Sequence, residues 1–193
     1  MSSLNYAEKQ EIRKKTAKPM LYVAIGSMVM LFGGLTSAYV VRHAEGNWLV
    51  FTMPQAFYFS TALMLLSSLT MNFALMAAKK NNFSQIKQAL AATLVLGIGF
   101  MICQFMGWSQ LSEQKVFFAG KDSNASGSFF FVLTGLHLAH LLGGMLYLLA
   151  VNIKALKNKY TAQNYLSLQL CATYWHFLDG LWIYLFFFLI FIS

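Results

Sequence analysis

The stretch ATYWHFLDGLW, from Ala172 to Trp182, places an imidazole and a carboxylate inside an apolar run near the end of the chain. His176 and Asp179 are three residues apart and therefore lie on one face of a helix. A charged aspartate in the middle of a membrane-spanning helix costs about 2.5–3.5 kcal/mol, so we expect Asp179 to face protein and to have a partner. His176, or a histidine of the preceding helix, is the expected partner.

A second pair of histidines, His137 and His140, lies in the preceding apolar run, TGLHLAHLLGG. The rise of a helix places both pairs near the middle of the membrane. Because consecutive helices are expected to be neighbours, the three histidines and Asp179 are predicted to share one layer. Four kinds of site use these residue types: a satisfied polar cluster that also contacts lipid headgroups or a partner, a metal site, a haem site and a proton relay.

The pattern favours the polar cluster over the other three sites. Carboxylate-bridged metal bundles use Glu-x-x-His pairs, which this sequence lacks. A haem held by two facing helices would need histidines at two depths, and a relay would need ionisable groups across the whole membrane. The two cysteines, Cys103 and Cys171, also fall inside apolar runs, where a free thiol behaves as a small apolar residue.

The elements that carry these residues are five apolar runs in a chain of 193 residues that is 58% hydrophobic and 10% charged. Each run exceeds the roughly 20 residues that a helix needs to cross the hydrocarbon core. The sequence therefore predicts an all-α fold, an integral membrane five-helix bundle that forms one domain over residues 19–193. The predicted spans are residues 20–41, 54–78, 89–111, 128–153 and 165–192.

The positive charges indicate the orientation of this bundle. Eleven of the fourteen Lys and Arg residues lie in the tail, residues 1–18, and in the second and fourth connections. Cytoplasmic connections are enriched in Lys and Arg. The sequence thus predicts a cytoplasmic basic tail, with Pro19 in the first turn of the first helix, and a C-terminus on the outer face. The net charge of +8 is interpreted as a topology signal rather than as a nucleic-acid surface.

Small residues recur at four-residue intervals along several spans, a pattern that lets helix backbones approach closely. They are predicted to mediate helix packing or contact with another subunit, as is the deep tryptophan of the last span. These positions are Gly34, Ala38, Gly99, Gly107, Gly135, Ala139, Gly143 and Trp182.

Three segments resemble subunit III of haem–copper terminal oxidases, the cytochrome c oxidase subunit III family. YWHFLDGLWIYLFFFLIF, residues 174–191, is similar to the family's terminal helix, with its signature Tyr/Trp-His-Phe-x-Asp-x-x-Trp. TGLHLAHLLGGMLYL, residues 134–148, is similar to the preceding helix, and LFGGLTSAYVV, residues 31–41, to the family's Phe-x-Gly-x-x-x-Ala-Tyr segment. The chain resembles the five-helix form of bacterial oxidases, which lacks the first two helices of the seven-helix form.

The resemblance implies a non-catalytic subunit of a proton-pumping oxidase in the bacterial cytoplasmic (inner) membrane. Such a subunit packs on subunit I, with subunit II and other respiratory subunits as further partners. It binds phospholipid and supports proton uptake and stability during turnover. No cofactor is expected in this chain, since haem and copper belong to the partner subunits.

The resemblance also assigns residues. His137 and His140 match the family's histidine pair, of which the second is associated with a lipid headgroup in the long form. His176, Asp179 and Trp182 match the signature of the terminal helix. One departure is clear: the long form carries a glutamate near the position of Met28, and residues 20–41 contain no acidic residue.

Two alternatives stay open on the sequence. The first is subunit III of a quinol oxidase, or a homologue associated with nitric oxide reductase, because the electron donor docks on other chains. The second belongs to another class: an independent membrane carrier of haem or metal that uses His137, His140 and His176.

Overall fold

A computed structural model describes residues 6–46, 52–120, 124–158, 160–161 and 164–192. These residues form five helices, and each helix is long and apolar enough to cross a membrane. The prediction of an all-α, multi-pass five-helix protein is therefore confirmed. The helices are α1 (Tyr6–Ala44), α2 (Gln55–Lys79), α3 (Phe83–Glu113), α4 (Ala125–Leu156) and α5 (Leu166–Ile192).

The first helix begins earlier than its apolar run. α1 starts at Tyr6, so residues 6–18 of the predicted tail are helical, and residues 1–5 lie outside the described residues. The placement of Pro19 in a first turn was wrong, because Pro19 lies inside α1. The segment before it is rich in Ala, Glu, Gln, Lys and Arg, which favour helix. That preference outweighs the single backbone hydrogen bond that an internal proline removes.

Two asparagine caps extend α3 and α4 beyond the predicted spans. The side chain of Asn82 accepts a hydrogen bond from the backbone N–H of Gln85, and that of Asn124 accepts one from Ser126. Each cap satisfies an N–H that has no partner within its own helix. The helices therefore reach into the polar interface, past the ends of their apolar runs.

Four of the helices form a closed bundle, and α1 lies outside it. α2 packs on α3, α3 on α4, α4 on α5, and α5 on α2. α1 contacts only α4 and α5 among the described residues. On this side Tyr39 is buried between Phe129 and Phe188, and the hydroxyl of Tyr184 donates to Thr36, with 3.0 Å between the oxygens.

The two tryptophans of α5 fill the centre of the four-helix bundle. Trp175 and Trp182 are both almost fully buried. The ring of Trp182 packs against Phe57 of α2 and Phe100 of α3, with centroids 6.2 and 5.1 Å apart. Each such pair is worth about 0.5–1.5 kcal/mol beyond the area it buries. The packing of these aromatic rings fixes how α5 is rotated within the bundle, and so the direction in which its site residues project.

Candidate functional site

His176 projects from α5 toward α2. Its Nδ1 lies 2.7 Å from the hydroxyl oxygen of Ser68, a hydrogen bond in which either group can donate. The same nitrogen is 3.7 Å from Oδ2 of Asp179. That distance suits an ion pair but is too long for a hydrogen bond. The structure thus brings His176 and Asp179 together as their spacing predicted, and it adds Ser68 to the pair.

Asp179 is the most deeply placed carboxyl group in the described part of the chain. Its side chain is 5% exposed, against 30% for His176. Neither carboxyl oxygen has a hydrogen-bond partner among the described residues. Burying a carboxyl group without a hydrogen bond to either oxygen is energetically unfavourable. Intramembrane residues of this kind are usually functional.

His137 lies inside the four-helix bundle. Its ring is fully buried and packs against Trp182 and Phe100, with centroids 5.1 and 6.0 Å apart. Neither ring nitrogen has a hydrogen-bond partner within the described residues. His137 therefore contributes an aromatic surface to the core.

His140 lies on a different side of α4, toward α1. Its Nδ1 is 2.7 Å from the carbonyl oxygen of Leu136 in the preceding turn, and its ring meets Phe32 of α1 edge-on. The hydroxyl of Tyr174 donates to the backbone carbonyl of His140, with 3.1 Å between the oxygens. His140 thus stands at the junction of α1, α4 and α5.

These placements divide the predicted layer into three separate locations. No hydrogen bond or ion pair joins His137 or His140 to His176 or Asp179 within the described ranges. Over the same ranges no three His, Cys, Asp or Glu side chains are close enough together to hold a metal ion. Trp182 occupies the face of α5 that meets His137, whereas His176 contacts Ser68 of α2 and His140 is directed toward α1.

The hydroxyl groups of α2 were missed at the level of sequence. Besides Ser68, α2 supplies Ser67 and Thr61, which accept hydrogen bonds from the indole N–H groups of Trp175 and Trp182, each at 3.0 Å. A signal for them exists, because Ser60 and Thr61 recur seven residues later as Ser67 and Ser68. Two helical turns separate the pairs, so they share one face. That face meets α5.

The predicted small-residue positions separate into two groups. Gly99 and Gly107 pack inside the chain: a Cβ atom at Gly107 would meet the ring of Phe57 at 2.6 Å, and one at Gly99 would lie 3.4 Å from Leu63. Gly34, Gly135 and Gly143 have nothing within 4 Å of that position, and Ala38 and Ala139 are exposed. Three glycines outside the predicted set are also closely packed: Gly97 against Trp175, Gly127 against Val116, and Gly144 against Tyr174.

A groove of about 250 Å³ opens between α1, α2 and α5 and extends to His176. α1 and α2 form opposite walls, and α5 forms the floor. The polar residues of its lining are Lys18 and Tyr22 of α1, Lys79 of α2, and Tyr165, Gln169, Thr173 and His176 on or next to α5. His176 is therefore accessible from the end of the bundle that carries Lys18 and Lys79, and Asp179 lies behind it.

Five helices that are each long and apolar enough to cross a membrane, packed around an aromatic core, define a multi-pass helical membrane protein. The chain belongs to the cytochrome c oxidase subunit III family, whose sequence profile matches residues 51–193. The match includes α2 to α5 and all the polar site residues. The resemblance noted in the sequence is thus confirmed at the level of family.

Three relatives illustrate the range of the family. Cytochrome c oxidase subunit 3 of Corynebacterium diphtheriae is 30% identical over 185 residues, which cover 89% of this chain and 88% of that protein. The subunit 3 proteins of Alkalihalophilus pseudofirmus and Pelomedusa subrufa are 33% and 35% identical over 67% and 66% of this chain. Those matches span 62% and 46% of the two relatives. The chain is therefore similar in extent to the first relative and matches about half of the third.

Proposed function

We propose that this chain is the non-catalytic third subunit of a proton-pumping haem–copper terminal oxidase, a cytochrome c oxidase, in a bacterial cytoplasmic membrane. The observation that carries the proposal is the family match over residues 51–193. The relatives described above are named as the third subunit of cytochrome c oxidase. On this proposal haem and copper reside in subunits I and II.

The exposed small-residue stripe on α4 is the proposed contact with subunit I. Gly135, Ala139 and Gly143 lie at four-residue spacing, and the two glycines have open space where a side chain would stand. Inside a membrane, helices associate through such surfaces because the backbones approach closely and dispersion contacts accumulate. Gly34 and Ala38 of α1 offer a second surface for a neighbouring subunit, subunit II included. From the sequence alone, both stripes were predicted to mediate either helix packing or contact with another subunit.

Support for proton uptake is the proposed role of His176 and Asp179. The groove provides a route from the lysine-rich end of the bundle to His176, and Asp179 is adjacent to it. The positive charges at that end favour a cytoplasmic orientation, which is the side from which an oxidase takes up protons. Retention of an unsatisfied carboxyl at this depth supports a role beyond folding.

A phospholipid beside His140 completes the proposal. His140 is half-buried at the junction of α1 and α4, and its Nδ1 is already bound to Leu136. Its other ring nitrogen remains to meet a headgroup. In the long form a glutamate near the position of Met28 lies on the first shared helix, and in this chain that helix has no acid within residues 20–41. The lipid contact on this side therefore depends on His140 without a neighbouring carboxylate.

Purification through a tag on this chain tests the proposal. After solubilisation in a mild detergent, subunits I and II should copurify, with a reduced-minus-oxidised spectrum typical of oxidase haems. Once dissociated from them, this chain should be colourless and free of metal. Recovery of the chain alone with a haem band or stoichiometric metal would instead support the haem or metal carrier. A copurifying quinol-oxidising or nitric oxide reductase complex would favour the first alternative.

A further inference from the structure

We propose that the groove between α1, α2 and α5 binds the phosphodiester headgroup of an anionic phospholipid, with Lys18 and Lys79 as its two cationic contacts. This site lies on a different face of the bundle from His140. It deepens the phospholipid-binding part of the proposed function and depends on the membrane setting alone, whichever oxidase the chain serves.

Charge is the first argument for an anionic occupant. Lys18 and Lys79 come from two helices that do not pack on each other, yet both line this one groove. No carboxylate is part of the lining among the described residues. Two ammonium groups that line the same groove repel each other, and an anion bound between them removes that repulsion. A phosphodiester supplies that charge and accepts hydrogen bonds from both lysines.

Depth is the second argument. The apolar part of α1 begins at Lys15, and α2 ends at Lys79, so the two lysines lie where the spans meet the polar interface. Lipid phosphates occupy that region of a bilayer. Basic pockets between helices at this level are a common way to bind anionic headgroups.

The floor of the groove supplies polar groups for the rest of a headgroup. Tyr165, just before α5, and Gln169 and Thr173 in its first two turns recur every fourth residue and so lie on one side of the helix. The hydroxyl of Thr173 donates to the carbonyl of Gln169 at 3.0 Å, which leaves its oxygen free to accept a hydrogen bond. The amide of Gln169 can both donate and accept. A glycerol headgroup, which carries two hydroxyl groups, matches this set.

The volume of the groove and its apolar walls determine which part of the lipid it holds and where the acyl chains run. A volume of about 250 Å³ holds a phosphate and a glycerol, and it is smaller than the 300–1,000 Å³ of sites for larger ligands. Leu21 and Leu75 line the two walls. The acyl chains then continue along the exposed apolar surface of α1, where Tyr22 and Val29, two turns apart on the groove side, are 61% and 53% exposed. A headgroup bound here covers the exposed edge of His176 and so controls the access of water to Asp179.

The test uses the chain as purified with its accompanying subunits, depleted of lipid and titrated with phosphatidylglycerol or phosphatidylcholine. Native mass spectrometry reports the bound lipid. Phosphatidylglycerol should bind preferentially, and K18Q combined with K79Q should weaken it about 30-fold, or about 1 kcal/mol for each lysine. K157Q changes a lysine at the end of α4 that does not line the groove, and it should leave binding unchanged. K18R combined with K79R should retain binding.

Three outcomes would overturn the proposal: no preference for phosphatidylglycerol, an equal loss in K157Q, or equal competition by inorganic phosphate at the same concentration. If the protein that carries both K18Q and K79Q does not assemble, the rate at which diethyl pyrocarbonate modifies His176 in the wild-type protein tests the proposal instead. Phosphatidylglycerol should slow that reaction and phosphatidylcholine should not; equal rates would also refute the site. The same mass spectra identify the copurifying subunits. A failure of the proposed function, seen as the absence of oxidase subunits, is therefore distinguished from a failure of lipid binding.

Discussion

The ring of His176 and the hydroxyl of Ser68 connect α5 to α2 through a contact of 2.7 Å between Nδ1 and Oγ. The same ring nitrogen lies 3.7 Å from Oδ2 of Asp179, which is too far for a hydrogen bond. The carboxyl group is therefore close to a histidine without being hydrogen-bonded to it. The fold holds Asp179 in position, although it gains no hydrogen bond from doing so.

Replacement of Asp179 by leucine should leave the stability of the assembled protein unchanged or slightly raised. The substitution removes a buried polar group that has no hydrogen-bond partner among the described residues, and an apolar side chain branched at the same carbon carries no such desolvation cost. Thermal denaturation in detergent checks the stability, and proton uptake during turnover should fall. A loss of more than about 3 kcal/mol would mean that the carboxylate has a structural partner. Glu113→Leu, an exposed carboxyl at the end of α3, is the control.

Ser68→Ala should destabilise the α2–α5 contact. The change removes the only hydrogen-bond partner of Nδ1 among the described residues, at a cost of about 1–3 kcal/mol for the group left unpaired. The midpoint of thermal unfolding measures the effect. Ser112→Ala is a matched control, since that exposed hydroxyl bonds only a carbonyl of its own helix. Equal midpoints for the two variants would show that the contact with His176 contributes nothing.

Thr61→Val should weaken the attachment of α5 at the depth of His137. Valine keeps the shape of threonine but cannot accept the hydrogen bond from Nε1 of Trp182, which then has no acceptor in the core. We expect a loss of about 1–3 kcal/mol and a change in the environment of the indole, visible in its near-ultraviolet circular dichroism. Thr16→Val, at an exposed hydroxyl bonded within α1, should change neither. An unchanged spectrum for Thr61→Val would contradict this hydrogen bond.

Gly143→Leu should separate folding from assembly. Nothing lies within 4 Å of a Cβ atom at Gly143, so the chain itself should fold normally. If the stripe on α4 contacts subunit I, the added side chain prevents close approach and the yield of complex should fall at least tenfold, which is about 1.4 kcal/mol. Quantified subunits after purification through subunit I measure this. Ala91→Leu, at an exposed position of α3, is the control. Full assembly of Gly143→Leu would move the interface elsewhere.

The sequence was sufficient to predict the five membrane-spanning helices, but not which face of each helix packs against another helix. Long apolar runs identify membrane helices because each must cross the same thickness. Hydropathy does not mark where a polar helix begins, and so the start of α1 at Tyr6 was missed. The faces were hidden for a related reason: lipid-facing and protein-facing sides are both apolar. His137 and His140 were therefore expected to share one polar layer with His176 and Asp179, whereas packing directs His137 into the core and His140 toward α1.

The spacing of the polar residues predicted the site better than the spacing of the glycines predicted the packing. The spacing of His176 and Asp179 correctly placed both on one face, and the seven-residue repeat of hydroxyl residues in α2 marks the face that they meet. Glycine spacing alone could not separate Gly107, which is packed against Phe57, from Gly143, which faces outward. The difference depends on which helices are neighbours, and that is decided by the whole bundle.

The most direct test of the central claim is a time course of oxygen consumption by the oxidase purified with and without this chain. A non-catalytic supporting subunit predicts similar initial rates, followed by much earlier inactivation of the complex that lacks the chain. Restoring the chain should restore the lifetime. Loss of the initial rate together with the haem spectrum would assign a cofactor to this chain, and identical lifetimes would remove its proposed role in sustaining turnover.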